Sequence, residues 1–153
     1  MAPTKTTRTD MRIPDPFGTP PPEDALETRA LMVYWETVAN KDNARDASRY
    51  LAMYKTQKNA DRIVDDLKNG ALVSFKAKDI LRAACLPPVQ LDNQHVQAAL
   101  QLITDGVPLT PVYLLRGKLK GGVPVYIIDG YHRVSAAYYT DPSSDVSAYI
   151  ARP

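Results

Sequence analysis

Cysteine is nearly missing from this chain of 153 residues. The single thiol, Cys85, excludes an intramolecular disulfide and a cysteine-based zinc site, and it fits a reducing compartment. Glutamate is scarce: Glu23, Glu27 and Glu36 are the only three, and past residue 36 every acidic side chain is Asp. Histidine occurs twice, as His95 and His132, so a metal site built from side chains alone lacks an obvious third ligand. No apolar run is long enough to span a bilayer, and no apolar segment of signal-peptide type marks the N-terminus. The expectation is a cytoplasmic protein with no membrane partner. The net charge of +2 is too small to demand nucleic acid, yet compatible with it.

What is present suffices for one domain with an appended segment: 44% of the residues are hydrophobic, enough for an ordinary core. Residues 1–22, rich in Thr and Pro, predict a disordered or partly extended arm. A helix is expected over about 23–40, capped from Thr19 or Asp24, with Leu26, Ala30, Leu31, Tyr34, Trp35 and Val38 as its apolar stripe. Residues 41–46 break the pattern. A second helix is expected over about 46–69, with Tyr50, Leu51, Tyr54, Ile63, Val64 and Leu67 inward and Gly70 as its stop. Its mixed Lys, Arg and Asp residues read first as a solvated face; a nucleic-acid face with Tyr50 and Tyr54 is the weaker alternative. The pair, 23–69, is a helical extension suited to covering the neighbouring core or pairing two chains.

From Gly70 the texture becomes α/β. Strands are expected at 71–77, 112–115, 123–128 and 146–150. Helices are expected at 78–86, at 93–104 with Asp92 or Asn93 as cap, and from 130 to about 140. Cys85 reads as a small core residue. The fold class is thus α/β (α+β), a small mixed sheet with helices, preceded by an N-terminal helical pair.

One stretch organises this unit: Val125-Tyr126-Ile127-Ile128-Asp129-Gly130-Tyr131-His132-Arg133-Val134-Ser135-Ala136-Ala137-Tyr138. It predicts a buried strand, a tight turn at Gly130 and a helix opening at the turn. Helix starts leave backbone N–H groups unpaired and carry the positive end of the dipole. With His132 and Arg133 in the first turn, this is either an anion site suited to phosphate or a plain strand–turn–helix corner with surface His and Arg.

The order of elements and motifs over residues 72–151 resembles the ParB/sulfiredoxin superfamily, and in particular the ParB N-terminal-like domain. The resemblance rests on Asp129-Gly130-Tyr131-His132-Arg133 followed by Ala136-Ala137, on Leu91-Asp92 with Val96-Gln97, on Pro108-Leu109-Thr110-Pro111-Val112, and on the Gly117–Gly122 tip. It implies a nucleotide or phosphate pocket formed by Gly130, Tyr131, His132, Arg133 and the helix start near Asp92. His95 falls where sulfiredoxins carry a nucleotide-binding Lys. The implied ligand is ATP, ADP or CTP with Mg²⁺, or another phosphorylated small molecule. Tyr131 stands where sulfiredoxins carry their nucleophilic Cys, which excludes sulfinic-acid reductase chemistry. ParB proteins place a helix-turn-helix after this domain, whereas the extra helices here precede it, so sequence-specific centromere binding is not expected. The Glu that serves the related serine kinases as base has no counterpart; Gln90 and Asp92 occupy that region.

Each residue also has a plainer role. Asp129 is a candidate base or Mg²⁺ ligand, or a cap for the following helix. Arg133 clamps phosphate, or pairs with Asp129 or Asp92. Tyr131 stacks on a base, or packs half-buried. Lys118 and Lys120 close over an anion, or are solvated loop lysines. Three functional classes follow. One is a nucleotide- or phosphate-binding protein with phosphoryl transfer or NTP hydrolysis (an NTPase or small-molecule kinase). Another is a DNA-associated ParB-like binder or nuclease. The third is a non-catalytic module that binds a partner or forms a homodimer through the 23–69 helices.

Overall fold

The computed structural model describes residues 31–153. The expected arm, the caps at Thr19 and Asp24 and most of the first expected helix lie outside the described residues.

Residues 31–40 are irregular, not helical, with a single β-bridge at Trp35 and a bend at Thr37–Val38. Trp35 forms a parallel bridge with Leu109, through Leu109 N–H to the Tyr34 carbonyl and Glu36 N–H to the Leu109 carbonyl, both 2.8 Å. Trp35 Nε1 donates to the Asp145 carbonyl at 2.8 Å. The apolar spacing that suggested a helix coincides here with β-branched and aromatic residues, which favour extended backbone once pairing partners exist.

The single helix expected over 46–69 is two. Helix α1 (Lys41–Leu51) begins inside the segment expected to break the pattern. Its start is a reciprocal capping box: Asn40 Oδ1 accepts from Asn43 N–H, and Asn43 Oδ1 accepts from Asn40 N–H. Helix α2 (Gln57–Asn69) has its own cap, Thr56, whose side chain accepts from Asn59 N–H. Between the helices, Tyr54 is exposed rather than inward.

Strand β1 (Val73–Lys76) runs directly into α3 (Ala77–Ala84). Helix α4 (Gln94–Thr104) is capped by Asn93, whose side chain accepts from His95 and Val96 N–H. Strands β2 (Val112–Arg116) and β3 (Val125–Asp129) form a hairpin; α5 (Tyr131–Thr140) and β4 (Asp145–Ala151) complete the unit. The sheet order is β1-β4-β2-β3, with β2 and β4 parallel and the outer pairs antiparallel. A four-stranded mixed sheet with five helices among the described residues is an α+β fold, as expected.

Alternation along the strands divides the core. Val112, Leu114, Ile127, Val146 and Ala148 pack with α3 and α5. Tyr113, Leu115, Ile128, Tyr149 and Ala151 pack with Ala47, Leu51, Ala60, Ile63, Val64 and Leu67 of α1 and α2. Residues 41–69 therefore share a core with the sheet, within the compact unit Met32–Pro153. A smaller cluster joins α4 to α5 through Val96, Ala99, Ile103 and Ala136, with Leu109.

Cys85 is not a core residue. It is exposed, at φ 57°, and ends α3 with a paired turn, Leu86 N–H to the Leu81 carbonyl and Cys85 N–H to the Arg82 carbonyl. Among the described residues no helix is long and apolar enough to cross a membrane.

Candidate functional site

The β3–α5 corner turns on Gly130, at φ 112°. A Cβ there would collide with the Val112 side chain of the neighbouring strand, so the turn needs both the left-handed backbone and the missing side chain. No side chain caps α5. Asp129 is thus not the helix cap, and the first-turn N–H groups of α5 are left without intrahelical partners.

Asp129 and Arg133 serve the corner itself. Asp129 Oδ2 accepts from Asn43 Nδ2 at 2.8 Å and from an Arg133 terminal nitrogen at 3.1 Å. Arg133 Nε donates to the Thr110 carbonyl at 2.9 Å, and the same terminal nitrogen reaches the Pro111 carbonyl at 3.2 Å. The side chains are only 14% and 21% exposed, respectively. Arg133 is therefore the clamp of its own fold: its fork holds the entry to β2 and the end of β3 instead of standing open to a phosphate. Of the expected pairings, the one with Asp129 forms. Tyr113, opposite Asp129 in the hairpin, has its phenol pushed up by burial, then by Tyr149 and Asp129.

Tyr131 is also committed. Its hydroxyl donates to the Pro87 carbonyl. Ser135 Oγ accepts from Val89 N–H at 2.9 Å and donates to the Tyr131 carbonyl at 2.8 Å, while Tyr139 donates to the Val89 carbonyl at 2.8 Å. These bonds pin the Pro87-Pro88-Val89 link along α5. Burial, then Tyr139, raises the Tyr131 phenol. This geometry is that of a half-buried packing residue.

The pinned link delivers α4 to α5. The rings of His95 and His132, each in the first turn of its helix, lie 5.0 Å apart at an interplanar angle of 49°. His95 is exposed and His132 half-buried. Burial, then the neighbouring charges of His95 and Arg133, hold His132 below the ordinary histidine value of 6.5. At neutral pH it is an uncharged imidazole able to gain a proton when an anion arrives. Asp92, one residue before the cap of α4, is exposed and makes no ion pair among the described residues.

No protein-family model, curated protein or solved structure matches this chain.

The site is therefore defined by its own chemistry. The corner unites Asp129, Gly130 and Arg133, and the helix starts unite His95 with His132. Lys118 and Lys120 are exposed on the β2–β3 connection, at the far end of the hairpin from Asp129. The residue that sequence reasoning missed is Asn43, buried beneath Asp129. Its signal was the Asn40–Asn43 spacing at the start of α1, which marks a capping box with Asn in both places.

Proposed function

We propose that the chain binds a phosphate-bearing small molecule, a nucleotide such as ATP, ADP or CTP, at the paired starts of α4 and α5, as the ParB/sulfiredoxin resemblance implies. The observation that carries this reading is the 5.0 Å approach of His95 and His132 on two helix N-termini. Two positive dipole ends, uncapped N–H groups on α5 and two imidazoles converge, and each favours an anion. The proposed contacts are the α5 N–H groups, His132 and His95, with Gly130 allowing close approach. Arg133 contributes its charge while its fork holds the corner.

Binding is better supported than catalysis. Phosphoryl transfer or NTP hydrolysis would need a base, and Asp129 already accepts from Asn43 and Arg133. The same contacts make Asp129 a poor Mg²⁺ ligand, because a guanidinium occupies the place a cation would take. Among the described residues no group of three His, Cys, Asp or Glu side chains is placed to hold a metal. The residues do not fit a protein-held Mg²⁺, so any Mg²⁺ would accompany the nucleotide phosphates. A cytoplasmic location accords with this ligand.

The test is calorimetric titration with inorganic phosphate, ADP, ATP, CTP and GTP, with and without Mg²⁺, on the wild type and on His132→Ala. Saturable binding by the wild type, weakened about tenfold or more in a folded variant, is the expected result. Absence of binding by every ligand would overturn the proposal.

A further inference from the structure

The far end of the β2–β3 hairpin carries a second and different constellation. A cleft of about 590 Å³ lies between the α1–α2 connection and the hairpin tip. Three tyrosines, Tyr50, Tyr54 and Tyr126, line it together with Lys55, Arg116 and Lys118. Tyr50 and Tyr54 meet edge to face, with centroids 5.7 Å apart, and Lys55 Nζ lies 5.8 Å from the centre of the Tyr54 ring. Tyr126, on the sheet face that α1 covers, completes the aromatic wall. The Tyr54 phenol is pushed up by burial, then by Tyr50 and Tyr126.

The rings remain accessible: Tyr54 is 49% and Tyr126 36% exposed. No Asp or Glu side chain lines the cleft, and neither Lys55 nor Lys118 is ion-paired among the described residues. The hairpin stem keeps this shape through Gly117, where a Cβ would collide with the Val123 carbonyl and stand 2.9 Å from the Tyr126 ring.

We infer that this cleft is a binding site for single-stranded nucleic acid, with Tyr54 and Tyr126 as stacking surfaces for bases and Lys55 and Lys118 as contacts to the phosphate backbone. The volume is that of a small-ligand pocket, room for a short stretch of strand. Stacking needs bases free of a duplex, and sequence-tolerant strand binders combine aromatic platforms with a basic groove. An acidic peptide would satisfy the cations and leave the rings without planar partners. A duplex would present phosphates and keep its base faces hidden. The cleft and the Gly130 turn lie at opposite ends of β3, about 13 Å apart along the strand at the usual rise. This inference is independent of the phosphate reading.

The experiment is fluorescence anisotropy of a labelled oligothymidylate of about ten residues, within the span of known strand-binding sites, with the full chain, between about 50 and 200 mM salt. A duplex of equal length and free thymidine monophosphate serve as competitors. Two phosphate contacts predict roughly a 7-fold loss of affinity over that salt range. Tyr54→Ala should weaken binding about 5- to 150-fold, the usual cost of one lost stacking surface. Tyr54 is exposed, so the variant should melt like the wild type. Lys118→Ala should also weaken binding and flatten the salt dependence, whereas Lys78→Ala, on α3, should do neither. No binding at the lowest salt would overturn the inference. So would Tyr54→Ala binding like wild type, equal losses in Lys118→Ala and Lys78→Ala, or displacement by the duplex or the mononucleotide as effective as by unlabelled strand.

Discussion

The residues of the β3–α5 corner divide into those that hold the turn and those left open to a ligand. Gly130 holds it. Gly130→Ala places a methyl group against Val112 at φ 112° and should cost about 2–4 kcal/mol, read from urea denaturation. Asn43 holds it from below. Asn43→Ala removes a hydrogen bond to a largely buried carboxylate and half of the capping box, an expected loss of about 1–3 kcal/mol by the same measurement. A loss well under 1 kcal/mol would show that the Asn43–Asp129 bond holds little of the corner together. The Asp129-Gly130-Tyr131-His132-Arg133 run drew attention in the sequence for good reason, yet most of it is spent on the fold. Arg133 ties the Thr110–Pro111 backbone to the Asp129 side chain, and Tyr131 pins the proline link. These partners, carbonyl groups far along the chain, leave no mark in a one-dimensional pattern. His132 differs, because its neighbour is another first-turn histidine rather than a carbonyl.

At the scale of elements, the residues past Gly70 were legible because caps and periodicity agree. Asn93 caps α4 and Gly106 ends it at φ 72°. Strand β1 alternates in burial, whereas β2, covered on both faces, is a continuous buried run from Val112 to Leu115. Before Gly70 the reading failed where local pattern and tertiary pairing compete. Residues 31–40 have helical spacing but pair with Leu109, and the capping box at Asn40 starts a helix where charged residues suggested a break. Helix α3 shows a different conflict: its end requires a left-handed residue, and Cys85 supplies it at φ 57°. Exchange to Gly removes that strain. Cys85→Gly should raise stability by about 0.5–1 kcal/mol, seen as a higher melting temperature. A lower melting temperature would mean that the exposed thiol has a packing role not evident in its contacts.

Across the whole unit, the sheet is covered on both faces, and the two covers come from different stretches of chain. Helices α3 and α5 lie after Gly70; α1 and α2 lie before it. Removing residues 1–69 strips the cover from Tyr113, Leu115, Ile128 and Tyr149 and removes Asn43 from Asp129. The remaining fragment should aggregate or bind a hydrophobic dye such as ANS, because a contiguous apolar sheet face becomes exposed. A 70–153 fragment that melts like the full chain would refute the shared core. This dependence also gives α1 and α2 a task inside the chain, which weakens the case for their serving chiefly as a dimer interface.

Two helix starts and their histidines are proposed to hold phosphate, and the chain has only two histidines to watch. The decisive measurement is NMR titration of the His95 and His132 ring C–H signals between about pH 5 and 8, around the ordinary histidine value, with and without saturating ADP. Without ligand, His132 should titrate below 6.5. The unfolded chain then takes up a proton at its ordinary value before the folded one does. Stability should therefore decline as pH falls below about 6.5 toward the folded-state value, and not above it. Bound phosphate favours the imidazolium, so ADP should move the His132 titration upward, and its affinity should rise as pH falls. Both rings should shift on binding. Rings that ignore saturating ADP, with the His132 titration unmoved, would contradict the account.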